Sequence, residues 1–415
     1  MNVFQSVESE VRSYCRGWPV VFDRATGSWL YDEDGRGYLD FFAGAGALNY
    51  GHNNPVLKRA LLDYLERDGV TQGLDMHTVA KRAFLETFAE VVLGPRDLDY
   101  KIMFPGPAGA NAVEAALKLA RKVTGRQSVV HFTNAFHGMT LGALAVTGNA
   151  LKRGGAGVPL VHAVPMPYDG YLDGESFRWF ERLLEDAGSG LTRPAAVIVE
   201  TVQGEGGVNV ARDGWLRMLA DLCRREGMLL IVDDVQMGCG RTGPFFSFEP
   251  AGITPDIVCL SKAIGGYGLP LALTMFRPAL DVWKPGEHDG TFRGVNPSFV
   301  AATEALRTYW RDDRLEKGTL AKGEQVGRAL TELATAFPGT PMVPRGRGLA
   351  RGLALPSGEL AGQVCRAAFA RGLLVETAGP AGEVVKIMPP LTIGEDELVQ
   401  GLAVLAEAVR VVCNP

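Results

Sequence analysis

The 415-residue chain lacks the features that mark several classes of protein. It has no apolar run near the roughly 18–20 residues that a bilayer span needs. Its first ten residues contain neither the basic nor the apolar stretch of a signal peptide. The formal net charge of -5 leaves no overall basic field for nucleic acid. We therefore expect a soluble, cytoplasmic protein that binds neither nucleic acid nor membrane.

Cysteine is scarce, and no two cysteines form a CxxC pair. The six are scattered along the chain, at Cys15, Cys223, Cys239, Cys259, Cys365 and Cys413. This spacing supports neither a disulfide framework nor a zinc site. We expect buried free thiols and no metal.

The composition, 47% hydrophobic and 21% charged, is that of a folded protein with a large core. Apolar runs at 195–199, 228–233 and 256–260 alternate with helical patterns. This alternation predicts an α/β fold whose mostly parallel central sheet is flanked by helices on both faces. After Asn296 the pattern changes to helices and short β runs, which predicts a smaller α+β unit. Residues 27–42 predict a hairpin.

Two polar residues follow neighbouring predicted strands. Asp233 ends the run 228–233, and Lys262 follows the run 256–260. Ligands of open parallel sheets bind beyond the carboxyl ends of the strands. A buried lysine loses its charge readily and then attacks an aldehyde to form a Schiff base. A buried aspartate keeps a pyridine nitrogen protonated. The alternatives are a lysine that reaches solvent and an aspartate that caps a turn.

Two further segments are candidates for binding a flat, phosphorylated ligand. The small residues around Gly109 and Ala110 precede a helix that we expect to begin near Asn111, and a helix N-terminus presents free N–H groups to an anion. Phe136 and His137 follow the predicted strand 128–132, where an aromatic ring can stack on a heterocycle. An ordinary turn, and a phenylalanine that simply packs in the core, are the alternatives.

A GxGxxG match at 238–243 is rejected as a dinucleotide site. Asp233 to Gln236 separate it from the strand, and the segment 244–250 does not start a helix.

Taken together, these segments resemble the class III (ornithine and 4-aminobutyrate type) aminotransferases over nearly the whole chain. The resemblance implies the fold type I architecture of pyridoxal 5'-phosphate (PLP) enzymes. It also implies a large PLP-binding domain at 56–296 and a small domain formed by 1–55 and 297–415. The family further implies a homodimer with shared active sites; whether dimers pair into tetramers stays open.

The resemblance also implies residue roles. Lys262 carries PLP and moves the substrate proton, and Asp233 pairs with the ring nitrogen. The other implied cofactor-binding residues are Gly109 and Ala110 at the phosphate, Val235, Phe136 and His137 at the ring, Gln236 near the ring hydroxyl, and Thr291 of the partner subunit at the phosphate. Glu205 is the implied gating acid beside the substrate, with Glu200 nearby.

Departures from the family narrow this interpretation. Asn111 and Asp234 stand where glutamate is usual, and Lys386 replaces the arginine that binds the substrate carboxylate. Lysine keeps the charge but cannot form the two-pronged contact of arginine. Carboxylate binding by Lys386, binding by Arg293, and a merely solvated Lys386 are all open at this point.

The departures resemble one subgroup of the family. Its members transfer an amino group from glutamate to aspartate 4-semialdehyde, giving 2,4-diaminobutyrate and 2-oxoglutarate in two half-reactions through pyridoxamine phosphate. The matching segments are 42–46, 48–55, 73–76, 133–140, 166–170, 233–236 and 283–288. Ala47 and Ala108, where threonine is usual, leave a shifted amino acceptor open.

Three alternatives remain from the sequence. The chain could be another ω-aminotransferase, acting on ornithine, lysine, 4-aminobutyrate or a polyamine. It could be a PLP aminomutase or decarboxylase on the same fold. It could also bind PLP without catalysis, although the presence of Lys262, Asp233 and Gln236 argues against this.

Overall fold

The computed structural model describes residues 3–172 and 177–413. The N-terminal segment contains, in order, α1 (Val3–Ser6), α2 (Tyr14–Gly17), β1 (Phe22–Thr26), β2 (Trp29–Asp32), β3 (Gly37–Asp40) and α3 (Ala43–Gly46). Strands β2 and β3 form the hairpin that the sequence predicts at 27–42, with Leu30 opposite Tyr38.

The long middle part alternates helices and strands. In chain order it contains α4 (Pro55–Glu66), α5 (Val79–Phe88), β4 (Lys101–Met103), α6 (Gly109–Thr124), β5 (Val129–Phe132), α7 (Leu141–Ala145), α8 (Ala150–Gly154), β6 (Ala163–Met166), α9 (Arg178–Glu185), β7 (Ala196–Val199), β8 (Val202–Gln203), β9 (Asn209–Val210), α10 (Asp213–Glu226), β10 (Leu229–Asp233), β11 (Ile257–Leu260), β12 (Leu273–Phe276) and α11 (Asn296–Tyr309).

The C-terminal part begins with a long helix. Its elements are α12 (Arg314–Ala336), β13 (Val343–Arg347), β14 (Ala350–Ala354), α13 (Gly358–Ala370), β15 (Leu373–Leu374), β16 (Glu376–Ala378), β17 (Val384–Ile387) and α14 (Glu395–Cys413).

The central sheet has the strand order β4-β12-β11-β10-β7-β5-β6. Pairs from β11 through β6 are parallel, and β12 is antiparallel to both its neighbours. Alternate side chains of β10 enter two different core clusters: Ile231 packs in one, and Leu230 and Val232 pack in the other. Burial on both faces is the reason that these strands are apolar throughout. The predicted α/β fold with a mostly parallel sheet is confirmed.

Two smaller sheets involve the chain ends. Strand β3 pairs in parallel with β15, Leu39 opposite Leu373, so N-terminal and C-terminal segments share one sheet. Strands β13, β14, β17 and β16 form an antiparallel sheet. The division of the chain at residues 55 and 296 stays a prediction.

Other expectations have mixed outcomes. The cysteines are free, and Cys223, Cys239 and Cys259 are buried as expected. Cys365 and Cys413 are only partly buried, and Cys15 is exposed because it lies in the short outer helix α2. Among the described residues, no cluster of His, Cys, Asp and Glu has the makings of a metal site. None of the helices in that part of the chain combines the length and the apolar character that a bilayer span requires.

Arg241 joins segments that are far apart in sequence. Its guanidinium is fully buried and donates to the carbonyls of Leu349 and Pro389, at 3.1 and 2.6 Å. It also donates to Asn49 Oδ1 at 2.6 Å. Burial lowers the pKa of Arg241 to about 9, with Asp40 opposing the change. The residue satisfies buried acceptors that no water reaches.

We expect Arg241→Met to lower the free energy of unfolding by about 3 kcal/mol, because several buried acceptors lose their donor. Thermal unfolding followed by circular dichroism measures this change. Arg328→Met, at an exposed position on α12, is the matched control and leaves the midpoint nearly unchanged. An equal midpoint for Arg241→Met and the wild type would contradict the assignment.

Candidate active site

The carboxyl ends of β10 and β11 open into one cavity. Asp233 is the last residue of β10, and Lys262 follows β11 by two residues. The cavity has a volume of ≈ 200 Å³ and is lined by Gly109, Ala110, Phe136, His137, Gly138, Glu200, Glu205, Asp233, Val235, Gln236, Met237 and Lys262. The structure thus brings together most of the site residues that the sequence suggests.

Lys262 has an unusual backbone and a perturbed amine. Its φ of 53° lies in the left-handed region, where a non-glycine residue is uncommon and strained. Burial lowers the pKa of its ammonium; Glu205 opposes the shift most strongly, and Lys386 reinforces it. A lysine with a lowered pKa supplies the neutral amine that attacks a carbonyl carbon.

A buried acid faces the same cavity and is held by a histidine. Asp233 Oδ2 lies 2.7 Å from His137 Nδ1, and Asp233 Oδ1 accepts from the Val235 N–H at 3.1 Å. The backbone N–H of His137 donates to Thr147 Oγ1 at 3.0 Å. These contacts fix the carboxylate in one orientation. The sequence suggested His137 only as a cofactor contact, so its bond to Asp233 is new information.

Helix α6 points its N-terminus at the cavity. The helix begins at Gly109, two residues before the predicted start, because the Asn111 side chain folds back and accepts from the Ala108 N–H at 3.0 Å. The first N–H groups of a helix, here those of Gly109 and Ala110, have no intrahelical carbonyl. A Cβ on Gly109 would lie 2.7 Å from Val235 Cγ1. Only glycine therefore allows the backbone at position 109 to lie so close to Val235. The free N–H groups at this helix N-terminus suit an anion.

Glu200 is buried beside the backbone of Phe136. Its Oε2 accepts from the Phe136 N–H at 3.0 Å. Burial, and next the charge of Asp233, raise the pKa of Glu200 well above its usual value. The surroundings of Glu200 thus favour its protonated form.

The pKa of Glu205 is shifted in the opposite direction. Its Oε1 accepts from Lys386 Nζ at 2.6 Å and from Gln236 Nε2 at 3.0 Å. Burial alone would raise the pKa of Glu205, but Lys386, Lys262 and these bonds outweigh it and lower the pKa to about 2. Glu205 is a carboxylate at every working pH.

Lys386 is buried and paired with two acids. Its side chain is 1% exposed, so the alternative of a solvated lysine is wrong. Besides Glu205, Nζ lies 2.9 Å from Glu376 Oε1, on the adjacent strand β16, where Glu376 is the direct cross-strand partner of Lys386. Burial would lower the pKa of Lys386, yet the two carboxylates raise it above its usual value.

Glu376 is the site residue that sequence reasoning missed. The signal was present: one acid in a short apolar β run, ten residues before the single lysine of the next run. Only the register of β16 and β17 makes the two neighbours.

Other candidates lie outside the cavity. Thr291 begins an exposed 3₁₀ turn and does not line the cavity of its own chain; its role in the partner's site stays a prediction. Arg293 donates to the His288 carbonyl at 3.2 Å and pairs with Asp289. Asp234 points away, toward Ser247, whose N–H donates to it at 3.0 Å; burial raises the pKa of Asp234 to about 7.

A larger cleft of ≈ 780 Å³ lies elsewhere, between β9, α12 and β13. Its arginines Arg345 and Arg351 donate to the carbonyls of Gly207 and of Gly346 and Gly348. It is open to solvent, and none of the residues that line it is a lysine, histidine or cysteine, so we assign the chemistry to the smaller cavity.

Comparison with known sequences agrees with this geometry. The sequence model of the aminotransferase class-III family matches residues 13–409. A Streptomyces coelicolor protein named diaminobutyrate–2-oxoglutarate transaminase is 68% identical over 413 residues, covering 99% of this chain and 98% of that protein. A protein of the same name from Halalkalibacterium halodurans is 57% identical over 412 residues, covering 99% and 96% of the two chains.

A solved structure has the same fold. The ornithine aminotransferase from Toxoplasma gondii, crystallised with PLP at partial occupancy in its active site, superposes with a TM-score of 0.84 at 27% identity. The match covers 99% of this chain and 93% of that one.

The two cavity glutamates lead to opposite pH predictions. The folded-state pKa of Glu205 is about 2, below the usual 4.5, so its stabilising contribution is present above pH 4.5 and is lost as the pH falls toward 2. We expect Glu205→Gln to cost on the order of 3 kcal/mol at neutral pH, with the cost shrinking below pH 4.5.

Glu200 has a raised folded-state pKa, so its contribution is fully present below 4.5 and is lost as the pH rises. We expect Glu200→Gln to be as stable as the wild type near pH 5 and more stable near pH 9. Thermal unfolding of both variants and of the wild type across this range measures the two trends. Curves that run parallel to the wild type at all pH values would refute both charge assignments.

Proposed function

The chain belongs to the class III aminotransferases, and from this premise we propose that it transfers an amino group from glutamate to aspartate 4-semialdehyde. The products are 2,4-diaminobutyrate and 2-oxoglutarate. The observation that carries this proposal is the naming of near full-length relatives, 54–68% identical, as diaminobutyrate–2-oxoglutarate transaminases. Lys262, Asp233 and the N-terminus of α6 meet in one cavity, which supports it.

Class III aminotransferases are PLP enzymes, and the cavity fits PLP. The free N–H groups of Gly109 and Ala110 would hold the phosphate. The close approach of Gly109 to Val235 leaves room there for no side chain. Val235 and Phe136 line the cavity and would contact the ring, with Gln236 near its hydroxyl. When bound, PLP supplies an electron sink for the carbanion formed at the reacting carbon of the substrate.

Lys262 is the residue that we propose for covalent attachment and proton transfer. Its lowered pKa leaves the amine free to attack an aldehyde carbon. In each half-reaction Nζ then moves the proton from the reacting carbon of the substrate. Asp233, held by His137, would keep the ring nitrogen protonated. His137, Glu200 and Asp233 are buried, so this part of the cavity is poorly accessible to water.

Lys386 is the cation that we propose for substrate carboxylates. It is a buried ammonium beside the cavity acid Glu205. The carboxylate of the substrate glutamate would take the place of the Glu205 carboxylate at Lys386. Gln236 also donates a hydrogen bond to Glu205. Glu205 is thus the gating acid in this proposal.

We propose a cytoplasmic homodimer in which Thr291 of the partner subunit completes the phosphate site. The turn that carries Thr291 is exposed, and Phe292 beside it is 61% exposed. An apolar side chain at such a position suits an interface between copies of the chain.

The substrate is tested with a panel of amino donors. We expect the purified enzyme to use 2,4-diaminobutyrate with 2-oxoglutarate at a kcat/KM at least tenfold above that for ornithine, lysine, 4-aminobutyrate or putrescine. Glutamate formation coupled to a dehydrogenase gives the rates. A preference for ornithine or putrescine would overturn the substrate assignment, and carbon dioxide release would indicate a decarboxylase.

Lys262→Ala tests the attachment site. The variant loses the visible absorption of covalently bound PLP and loses at least 10³-fold in turnover, because both nucleophile and proton carrier are gone. Lys284→Ala, on an exposed loop, is the matched control and keeps both properties. Normal absorption in the Lys262 variant would mean that another amine binds the cofactor.

A further inference from the structure

One buried ammonium in the site contacts two carboxylates. Lys386 Nζ lies 2.6 Å from Glu205 Oε1 and 2.9 Å from Glu376 Oε1, and the three side chains are 1%, 20% and 10% exposed. A single pair would be neutral. With both acids ionised, the cluster of Glu205, Lys386 and Glu376 carries one excess negative charge in a place that water reaches poorly.

Glu376 also lies near Tyr14, on α2, whose side chain is half exposed. Partial burial, Glu376 and Glu205 raise the pKa of Tyr14 to about 12. The phenol therefore stays neutral and adds no charge. Burial raises the pKa of Glu376 as well, but the ammonium opposes that rise. The 2.9 Å contact between Lys386 Nζ and Glu376 Oε1 favours the carboxylate form of Glu376 in the working enzyme.

The excess charge reaches the cavity through Glu205. Both bonds that Glu205 accepts, from Lys386 and from Gln236, end on Oε1. In the described part of the chain no hydrogen bond ends on Oε2, although Glu205 lines the cavity. Glu205 is also the acid that acts most strongly on Lys262. One oxygen of this carboxylate is therefore available to a cation near the reacting amine.

We propose that Glu376 is a specificity-determining positioning residue: it occupies Lys386, so that Lys386 does not fully neutralise Glu205, whose carboxylate receives the α-ammonium of the substrate. This inference rests on the proposed function. In 2,4-diaminobutyrate and in aspartate 4-semialdehyde, the α-ammonium lies on C2, and the reacting carbon is C4. The two are separated by a single carbon, so a group bound at Lys262 brings its α-ammonium toward Glu205.

The chemistry provides a matched substrate pair. 4-Aminobutyrate is 2,4-diaminobutyrate without the α-ammonium. Its distal end is a bare carboxylate, which a cluster with excess negative charge repels, whereas the distal end of 2,4-diaminobutyrate is a neutral zwitterion. The cluster thus favours those ω-amino substrates that also carry an α-ammonium.

The test compares Glu376→Gln with the wild-type holoenzyme on these two substrates. We expect the ratio of kcat/KM for 2,4-diaminobutyrate to that for 4-aminobutyrate to fall at least tenfold. Most of the loss falls on 2,4-diaminobutyrate, and the rate with 4-aminobutyrate holds or rises. The half-reaction with glutamate, which carries no ammonium besides the reacting one, is retained.

Binding gives a readout that does not require turnover. L-Homoserine and 4-hydroxybutyrate are the same pair with a hydroxyl in place of the reacting amine. Calorimetry should show that the wild type prefers homoserine, and that Glu376→Gln loses this preference by a similar factor.

Two further variants keep the test decisive if Glu376→Gln folds poorly. Glu376→Asp retains the charge and should restore the substrate ratio to within about threefold of the wild type. Glu205→Gln removes the proposed ammonium contact and should lower the substrate ratio as much as Glu376→Gln does. Glu359→Gln, on the exposed face of α13, removes an acid from the same part of the chain and should change nothing.

The outcomes separate this inference from the proposed function. If the wild type does not use 2,4-diaminobutyrate, the proposed function fails. If the wild type does use it, but Glu376→Gln changes kcat/KM for both substrates by the same factor or not at all, the inference is overturned and the proposed function stands.

Discussion

Asp233 and Lys262 share a cavity because β10 and β11 pair in parallel, with Asp233 opposite Cys259. This register sets the two residues beyond neighbouring strand ends, on the same edge of the sheet. A slip of one residue in this pairing would move each side chain of β11 to the opposite face of the sheet. Cys259, which packs in the core on one face, would then lie on the other face. Three other features lie around this pairing. They are the close approach of Gly109 to Val235, the His137–Asp233 bond and the strained backbone of Lys262.

The cavity controls charge by giving each acid its own surroundings. Glu200 is buried next to Asp233, and both the burial and that charge raise its pKa. Glu205, which is somewhat more exposed, touches the ammonium of Lys386, and its pKa is lowered. Two glutamates five residues apart in sequence thus have pKa values shifted in opposite directions because of what each contacts. Such separation of pKa values within one cavity is typical of sites that move protons.

Much of the fold followed from local patterns. The apolar runs that became β7, β10 and β11 are continuous because they are buried on both faces. Strands β4, β6 and β12 were missed: each is short, and β12 enters the sheet antiparallel, which no local pattern announces. The start of α6 was predicted near Asn111, but the Asn111 side chain closes back onto the Ala108 N–H and the helix begins at Gly109.

The sequence by itself determined the residue types of the site and their order at strand ends, since the positions of Lys262, Asp233 and Gly109 relative to apolar runs are visible in one dimension. Tertiary structure alone decided which charges meet. Lys386 and Glu376 are partners through the register of β16 and β17, and Glu205 joins them from a loop some 170 residues earlier in the chain. Charge states depend on burial and on contacts across such distances, and local sequence contains neither.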